Sequence, residues 1–124
     1  MQRQQPTCAI LADRHTALIE GMRDLLESAF ESVYMVSDLS SLSNGAQRLL
    51  PDLIILDYML PDINGNVVCR RLREREEFKD TKVIFVSGVV SQDEIEKLKA
   101  AGADDFVRKP FDVGTFMGRV KELL

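Results

Sequence analysis

Four polar residues hold comparable places in this chain. Asp13, Asp57, Ser87 and Lys109 each close a short, mostly apolar run. Two carboxylates a few ångströms apart repel one another and invite a hard divalent cation with oxygen ligands, Mg²⁺ above all. A hydroxyl and an ammonium beside them bind the oxygens of a phosphoryl group. A carboxylate is also a nucleophile that forms an acyl phosphate. Taken singly, each residue has a plain structural reading. A strand-end Asp or Ser is often a turn former or helix cap, and a strand-end Lys can snorkel to water. A cap needs neither a lysine nor a hydroxyl partner, so the set of four points to phosphoryl-transfer chemistry.

The apolar runs that carry these residues read as strands alternating with helices. Cys8–Ala12 predicts β1. Leu18, Met22, Leu25, Leu26 and Ala29 fall on one face of a helix, α1. Val33–Val36 predicts β2, and Asn44–Leu50 predicts α2, which must stop before Pro51. Leu53-Ile54-Ile55-Leu56 is continuously apolar, as a strand covered on both faces requires, and gives β3 ending at Asp57. After a turn from Pro61 to Gly65, Val67, Val68 and Leu72 line α3. Lys82–Val86 predicts β4, ending at Ser87. Ser91-Gln92-Asp93-Glu94 is a capping-box pattern opening α4, whose buried face holds Ile95, Leu98 and Ala101 and which stops at Gly102. Asp105–Arg108 predicts β5, and Asp112–Leu124 predicts α5, with Val113, Phe116, Val120 and Leu123 on one side. The charge run Arg70 to Glu77 reads as a solvated helix face. Val89-Val90, just past Ser87, reads as core or as the start of a partner surface.

Strict alternation implies parallel strands joined by right-handed helical crossovers, with helices on both faces. The expected fold is α/β, a flavodoxin-like (βα)5 doubly wound sandwich with strand order 2-1-3-4-5. Ligands of such sheets bind at the carboxyl ends of the strands where the winding reverses. That point lies between β1 and β3, which would make Asp13 and Asp57 neighbours. The whole chain, 1–124, reads as a single domain with a polar tail at 1–6, and any effector domain would lie beyond 124.

The chain resembles a response-regulator receiver domain of two-component signalling, CheY-like in type. The resemblance rests on ILAD in β1, LIILDYMLPDING around Asp57, VIFVSG ending at Ser87, and AGADDFVRKPF containing Lys109-Pro110. It runs in order over essentially the whole chain. It implies that Asp57 is the phosphoacceptor, and that Met59 lends a backbone carbonyl to Mg²⁺. Ser87 would hydrogen-bond the phosphoryl group, and Lys109 would be the site lysine, joined to Pro110 by a peptide bond typically cis in the family. Phe106 would be the aromatic switch residue, with Pro61 and Gly65 in the loop after the acceptor. Asp13 and Asp57 would hold the metal. The implied donor is a histidine kinase or phosphotransfer protein. The implied output is a change in the α4-β5-α5 face that controls a partner, an effector domain or a homodimer. Such a domain is not an enzyme in the usual sense, beyond its own phosphotransfer and autodephosphorylation.

The departure from the family lies after β1. Two adjacent acids are usual there, whereas this chain has Ala12-Asp13-Arg14-His15. Anchored on Glu20-Gly21-Met22, Asp13 takes the first acidic position and Arg14 the second, which usually ligates Mg²⁺ directly. A slip of one residue would instead place Asp13 second and Ala12 first. On the first alignment Mg²⁺ binding is weakened. An alternative function follows from Arg14: a phosphorylation-independent pseudo-receiver serving as a protein-interaction module.

Other classes fit less well. A haloacid-dehalogenase-type phosphatase needs an acid two residues after its nucleophile, and Met59 stands there. A flavin carrier needs a Ser/Thr/Gly-rich phosphate cradle in the first loop and often a Trp, and the chain has neither. His15, the one histidine, reads as incidental. A net charge of −4, from 16 basic and 20 acidic residues, argues against direct nucleic-acid binding. No apolar run approaches the ~20 residues that span a bilayer. Residues 1–6 carry no signal-peptide pattern. Cys8 and Cys69 form no CxxC and read as buried free thiols in a reducing compartment, which makes a cytoplasmic location the expectation.

Overall fold

In β3, Leu53, Ile54, Ile55 and Leu56 are all fully buried, as a strand covered on both faces must be. A computed structural model describes residues 8–12, 16–36, 50–57, 65–88, 91–108 and 112–124. For 12, 16–20, 36, 65, 66, 87 and 113 only the backbone is described. The elements are β1 (Cys8–Ala12), α1 (Thr16–Leu26), β2 (Ser32–Val36), β3 (Leu53–Asp57), α3 (Gly65–Arg73), β4 (Lys82–Ser87), α4 (Gln92–Ala100), β5 (Asp105–Arg108) and α5 (Val113–Leu123). A short 3₁₀ turn at Glu76–Phe78 follows α3. The expected α2 and the polar tail lie outside the described residues, apart from Leu50.

The strands form one parallel sheet in the order β2-β1-β3-β4-β5, as the alternation predicted. Side chains alternate across it and divide the core in two. Ile54, Leu56, Val83 and Phe85 pack with Val68, Cys69, Leu72 and Leu98 under α3 and α4. Leu53, Ile55, Ile84 and Val86 pack with Met22, Leu26, Phe116 and Val120 under α1 and α5. At the opposite end from the site, Thr81 Oγ1 donates to Pro51 O at 2.8 Å, and Asp52 Oδ2 accepts the Cys8 amide at 3.1 Å. These bonds pin the starts of β1, β3 and β4 together.

The local signals at the helix ends hold. Ser91 and Glu94 form both halves of the capping box, and Asp112 accepts the Thr115 amide at 3.1 Å at the start of α5. Gly102 follows α4 with φ +106, a left-handed position that a side chain would strain.

Four boundary or burial expectations shift. β2 begins one residue earlier, at Ser32, while β4 ends at Ser87 as expected. Gly65, expected in the loop, opens α3. Leu50 is not helical: its φ is +47, in the left-handed region, and the following Pro51 disfavours the right-handed helical region there. Leu25 was placed on the inner face of α1 but is 38% exposed. Met22 and Leu26, one turn apart, take the centre of that face, and Leu25 falls at its rim.

The charge run Arg70 to Glu77 is not a single helix face, since α3 ends at Arg73 and Glu76–Phe78 is a 3₁₀ turn, and one of its charges does not face water. Arg70, Arg71, Glu74, Arg75, Glu76 and Glu77 are exposed, as a solvated face requires. Arg73 instead turns inward. Its guanidinium donates to Phe78 O at 2.9 Å, Thr81 O at 2.7 Å and Gly102 O at 3.0 Å, and pairs with Asp104 at 2.8 Å. Gly102 makes room for it, because a Cβ there would meet Arg73 Cγ at 2.6 Å.

Candidate functional site

Asp57 is the last residue of β3, where four buried aliphatic residues give way to a carboxylate that is itself only 3% exposed. A buried charge is costly unless it is compensated, so a strand does not end this way merely to turn. Of the described residues, only Asp57 and Thr81 are polar and buried. Thr81 is accounted for by its bond to Pro51. Asp57 lies at the carboxyl edge of the sheet.

The topology makes that edge special. β1 and β3 are adjacent, while β2 lies outside β1 and β4 outside β3. The winding therefore reverses between β1 and β3, which opens a crevice at their carboxyl ends. Ala12, the last residue of β1, pairs with Leu56, next to Asp57. Asp57 pairs with Val86, which puts the backbone of Ser87 one step further along β4. Ser87 in turn pairs with Arg108, the last residue of β5. The sheet thus brings Asp57 and the end of β4 to one edge, and β5 terminates beside them.

Asp13, Arg14, His15, Met59, Pro61, Lys109 and Pro110 lie outside the described residues, as does Val89-Val90. Phe106 is described. It sits mid-β5, opposite Phe85, partly buried against the α3/α4 side of the core. The Arg108 guanidinium stands 5.9 Å from its ring centroid, within cation–π range. Arg119 of α5 donates to the Phe106 carbonyl at 2.7 Å and lies 3.4 Å from Asp105. Arg108 has a sequence cue, since it directly precedes Lys109 at a strand end. Arg119 has none, because its partners lie 13 and 14 residues away.

The donor chemistry at Asp57 suits a hard cation, which prefers carboxylate oxygen. Among the described residues no group of three His, Cys, Asp or Glu side chains is gathered for a metal. The two thiols are buried and free. Burial pushes the Cys69 thiol up to about 11, partly offset by the nearby Arg73 guanidinium, and pushes Cys8 up as well. Neither is a nucleophile at neutral pH. Among the described residues, no helix is long and apolar enough to cross a membrane.

Known proteins share this arrangement. The family model described as "Response regulator receiver domain" matches residues 9–121. The polar-differentiation response regulator DivK of Brucella ovis is 32% identical over 103 residues, covering 82% of this chain and 83% of DivK. The phosphate regulon transcriptional regulatory protein PhoB of Rhizobium meliloti is 45% identical over 78 residues, or 63% of this chain. The match spans 34% of PhoB, and 33% of the Synechocystis transcriptional regulator RpaA, so this chain spans about a third of those two relatives. Among solved structures, the chemotaxis response regulator CheY4 of Vibrio cholerae superposes with a TM-score of 0.87 at 21% identity, covering 95% of this chain and 98% of CheY4. The signal receiver domain of a DNA-binding response regulator from Colwellia psychrerythraea also gives 0.87, at 18% identity, with 94% and 97% covered. A buried acid at the switch point of a 2-1-3-4-5 sheet, in a chain matched to one family model from Ala9 to Lys121, makes this a member of the response regulator receiver domain family of two-component signalling.

Proposed function

We propose that Asp57 takes a phosphoryl group from the phosphohistidine of a histidine kinase or phosphotransfer protein. A carboxylate oxygen of Asp57 attacks phosphorus and forms an acyl phosphate. The P–N bond to the donor imidazole breaks, and its electron pair stays on the nitrogen, which takes up a proton. The observation that carries this reading is the burial of Asp57 at 3% exposure on the sheet's switch point. Ser87 and Lys109 are the groups proposed to bind the phosphoryl oxygens. Hydrolysis of the acyl phosphate by the domain itself resets it. The domain turns over no other substrate.

Receiver domains generally bind Mg²⁺. In this reading Asp13, Asp57 and the Met59 carbonyl hold it, where it neutralises charge on the transferring group. Arg14, in place of a ligand acid, weakens that binding. Phosphorylation shifts a two-state equilibrium toward a form in which Ser87 and Phe106 move together, altering the face of α4, β5 and α5. A partner, an effector domain or a second copy then reads that face, and the unit 1–124 acts as one module. Two buried free thiols support a reducing, cytoplasmic setting.

The test is acetyl phosphate labelling, and separately beryllofluoride binding, of wild type and Asp57→Asn, read by intact-protein mass spectrometry and fluorine NMR. Labelling is expected in wild type alone. Equal labelling of both proteins removes Asp57 from the mechanism.

A further inference from the structure

α4 is held to the body of the domain unevenly. Its one fully buried side chain, Leu98, lies in its second half, while Ser91, Gln92 and Asp93 at its start are exposed. The capping box that opens the helix is local, closing Ser91 on Glu94. The other end is stitched more widely. The Ala101 amide donates to Lys97 O at 2.9 Å, and the Ala103 amide to Leu98 O at 3.2 Å. The Gly102 carbonyl accepts from Arg73 of α3 at 3.0 Å, and the same guanidinium pairs with Asp104 at 2.8 Å. Asp104 in turn exchanges bonds with Val83 of β4: its amide donates to Val83 O at 2.8 Å, and its carboxylate accepts the Val83 amide at 2.8 Å. α4 runs back along a parallel sheet. Its fastened end therefore lies at the amino-terminal edge, and its start lies at the carboxyl edge with Asp57 and Ser87.

We propose that α4 is a lever hinged at Gly102, with Arg73 and Asp104 as the clamp that holds its far end while the end beside Ser87 swings. The clamp spans two connections. It holds α3 to β4 through the Phe78 and Thr81 carbonyls, and α4 to β5 through Gly102 and Asp104. The far end of α4 cannot lift without breaking charge-assisted bonds of this set. Gly102 suits the hinge, since its φ of +106 lies where a glycine turns without steric cost. The swing belongs to the unphosphorylated chain as a minor state already in equilibrium. Its use as a signal rests on the proposed phosphorylation of Asp57, whereas the hinge itself does not. Helix ends ordinarily fray alike, so the mark of a hinge is asymmetry between the two ends.

The experiment is amide hydrogen exchange by NMR on the wild-type protein. It is read at Ile95, whose amide donates to Ser91 O, and at Ala101, Ala103 and Asp104. Exchange at Ile95 should be about tenfold or more faster than at the three far-end amides. Arg73→Lys keeps the charge but loses the planar fork, so one ammonium cannot serve three carbonyls and a carboxylate together. It should speed exchange at Ala101, Ala103 and Asp104 about tenfold relative to the amides of β3, and leave Ile95 nearly unchanged. A clamp that merely adds stability would speed all of these amides by one common factor. Beryllofluoride on wild type should change exchange at Ile95 more than at Ala103. Three results would overturn the proposal: equal exchange at the two ends of α4 in wild type, one common factor across α4 and β3 in Arg73→Lys, or a larger beryllofluoride effect at Ala103 than at Ile95. The wild-type comparison needs no variant, so it decides the hinge even where Arg73→Lys folds poorly. Acetyl phosphate labelling of Asp57 on the same preparations reports separately on the phosphoacceptor, and its failure leaves the exchange comparison in the free protein to decide the hinge.

Discussion

Arg73 and Asp104 meet at 2.8 Å across 31 residues of sequence, and the same Asp104 oxygen accepts the Val83 amide at 2.8 Å. One carboxylate thus joins the end of α3 to the start of β4, just ahead of β5. The Arg73 side chain is 21% exposed and that of Asp104 26%, so solvent screens the pair only in part. Truncation by Arg73→Ala takes a donor from three carbonyls and from Asp104, of which Phe78 O keeps the Thr81 amide and Asp104 the Val83 amide. The expected loss is about 2–4 kcal/mol, read by urea denaturation. A loss under about 0.5 kcal/mol would show that water replaces the guanidinium at no cost.

Gly102→Ala should cost about 1–2 kcal/mol, from its φ of +106 and from the approach to Arg73 Cγ at 2.6 Å. The two contributions separate in a double-mutant cycle. In the Arg73→Ala background the steric part vanishes while the backbone part remains, so Gly102→Ala should cost less there. Strict additivity would mean that the Arg73 stem simply moves aside.

On the alignment that sets Arg14 at the second acidic position, the substitution Arg14→Asp restores an acid where the family usually ligates Mg²⁺. A guanidinium ~5 Å from a divalent cation at an effective dielectric of ~20 is worth roughly 6–7 kcal/mol, and about 1–2 once solvent screening and an outward swing of the exposed side chain are allowed for. Mg²⁺ binding should therefore tighten by roughly ten- to thirty-fold, and Asp57 should label faster. Metal titration by calorimetry checks this. Equal affinity in wild type would make Asp13 the direct ligand, with Ala12 at the other acidic position.

Binding of beryllofluoride should shift amide signals at Ser87 to Ser91 and at Phe106 more than those of segment 44–50. Phe106 sits in β5, with Arg108 against its ring and Arg119 on its carbonyl. Shifts confined to the residues beside Asp57 would mean that binding is not transmitted to β5.

Cys69 makes stability depend on alkaline pH. Its thiol rises from 9.0 to about 11 on folding, because burial disfavours the thiolate. The folded state therefore binds the proton more tightly than the unfolded state. The contribution is fully present below pH 9 and is lost as pH rises through 9 towards 11. The loss attributable to Cys69 is about 2–3 kcal/mol. Urea denaturation from pH 8 to 11, compared with Cys69→Ala, isolates it as a difference in slope. Parallel profiles would show that the thiolate is accommodated in the fold.

Much of this molecule is legible without coordinates, because it is local or repetitive. Continuous apolar runs such as Leu53–Leu56, alternating with helical faces, determine a parallel sheet, and short right-handed crossovers leave few orders for it. Asp57 is visible as a carboxylate terminating such a run, and Ser91, Gly102 and Asp112 declare the ends of their helices through chemistry within a few residues. The depth of burial of Asp57, by contrast, follows from neighbours on β1 and β4. Arg73 looks like every other charge from Arg70 to Glu77, since helical periodicity cannot tell that a glycine 29 residues later leaves space for a guanidinium. Arg108 and Arg119 are two scattered cations until β5 and α5 bring both to Phe106. Side-chain partners so distant along the chain are chosen by packing geometry, which no local pattern encodes, and only the tertiary structure decides them.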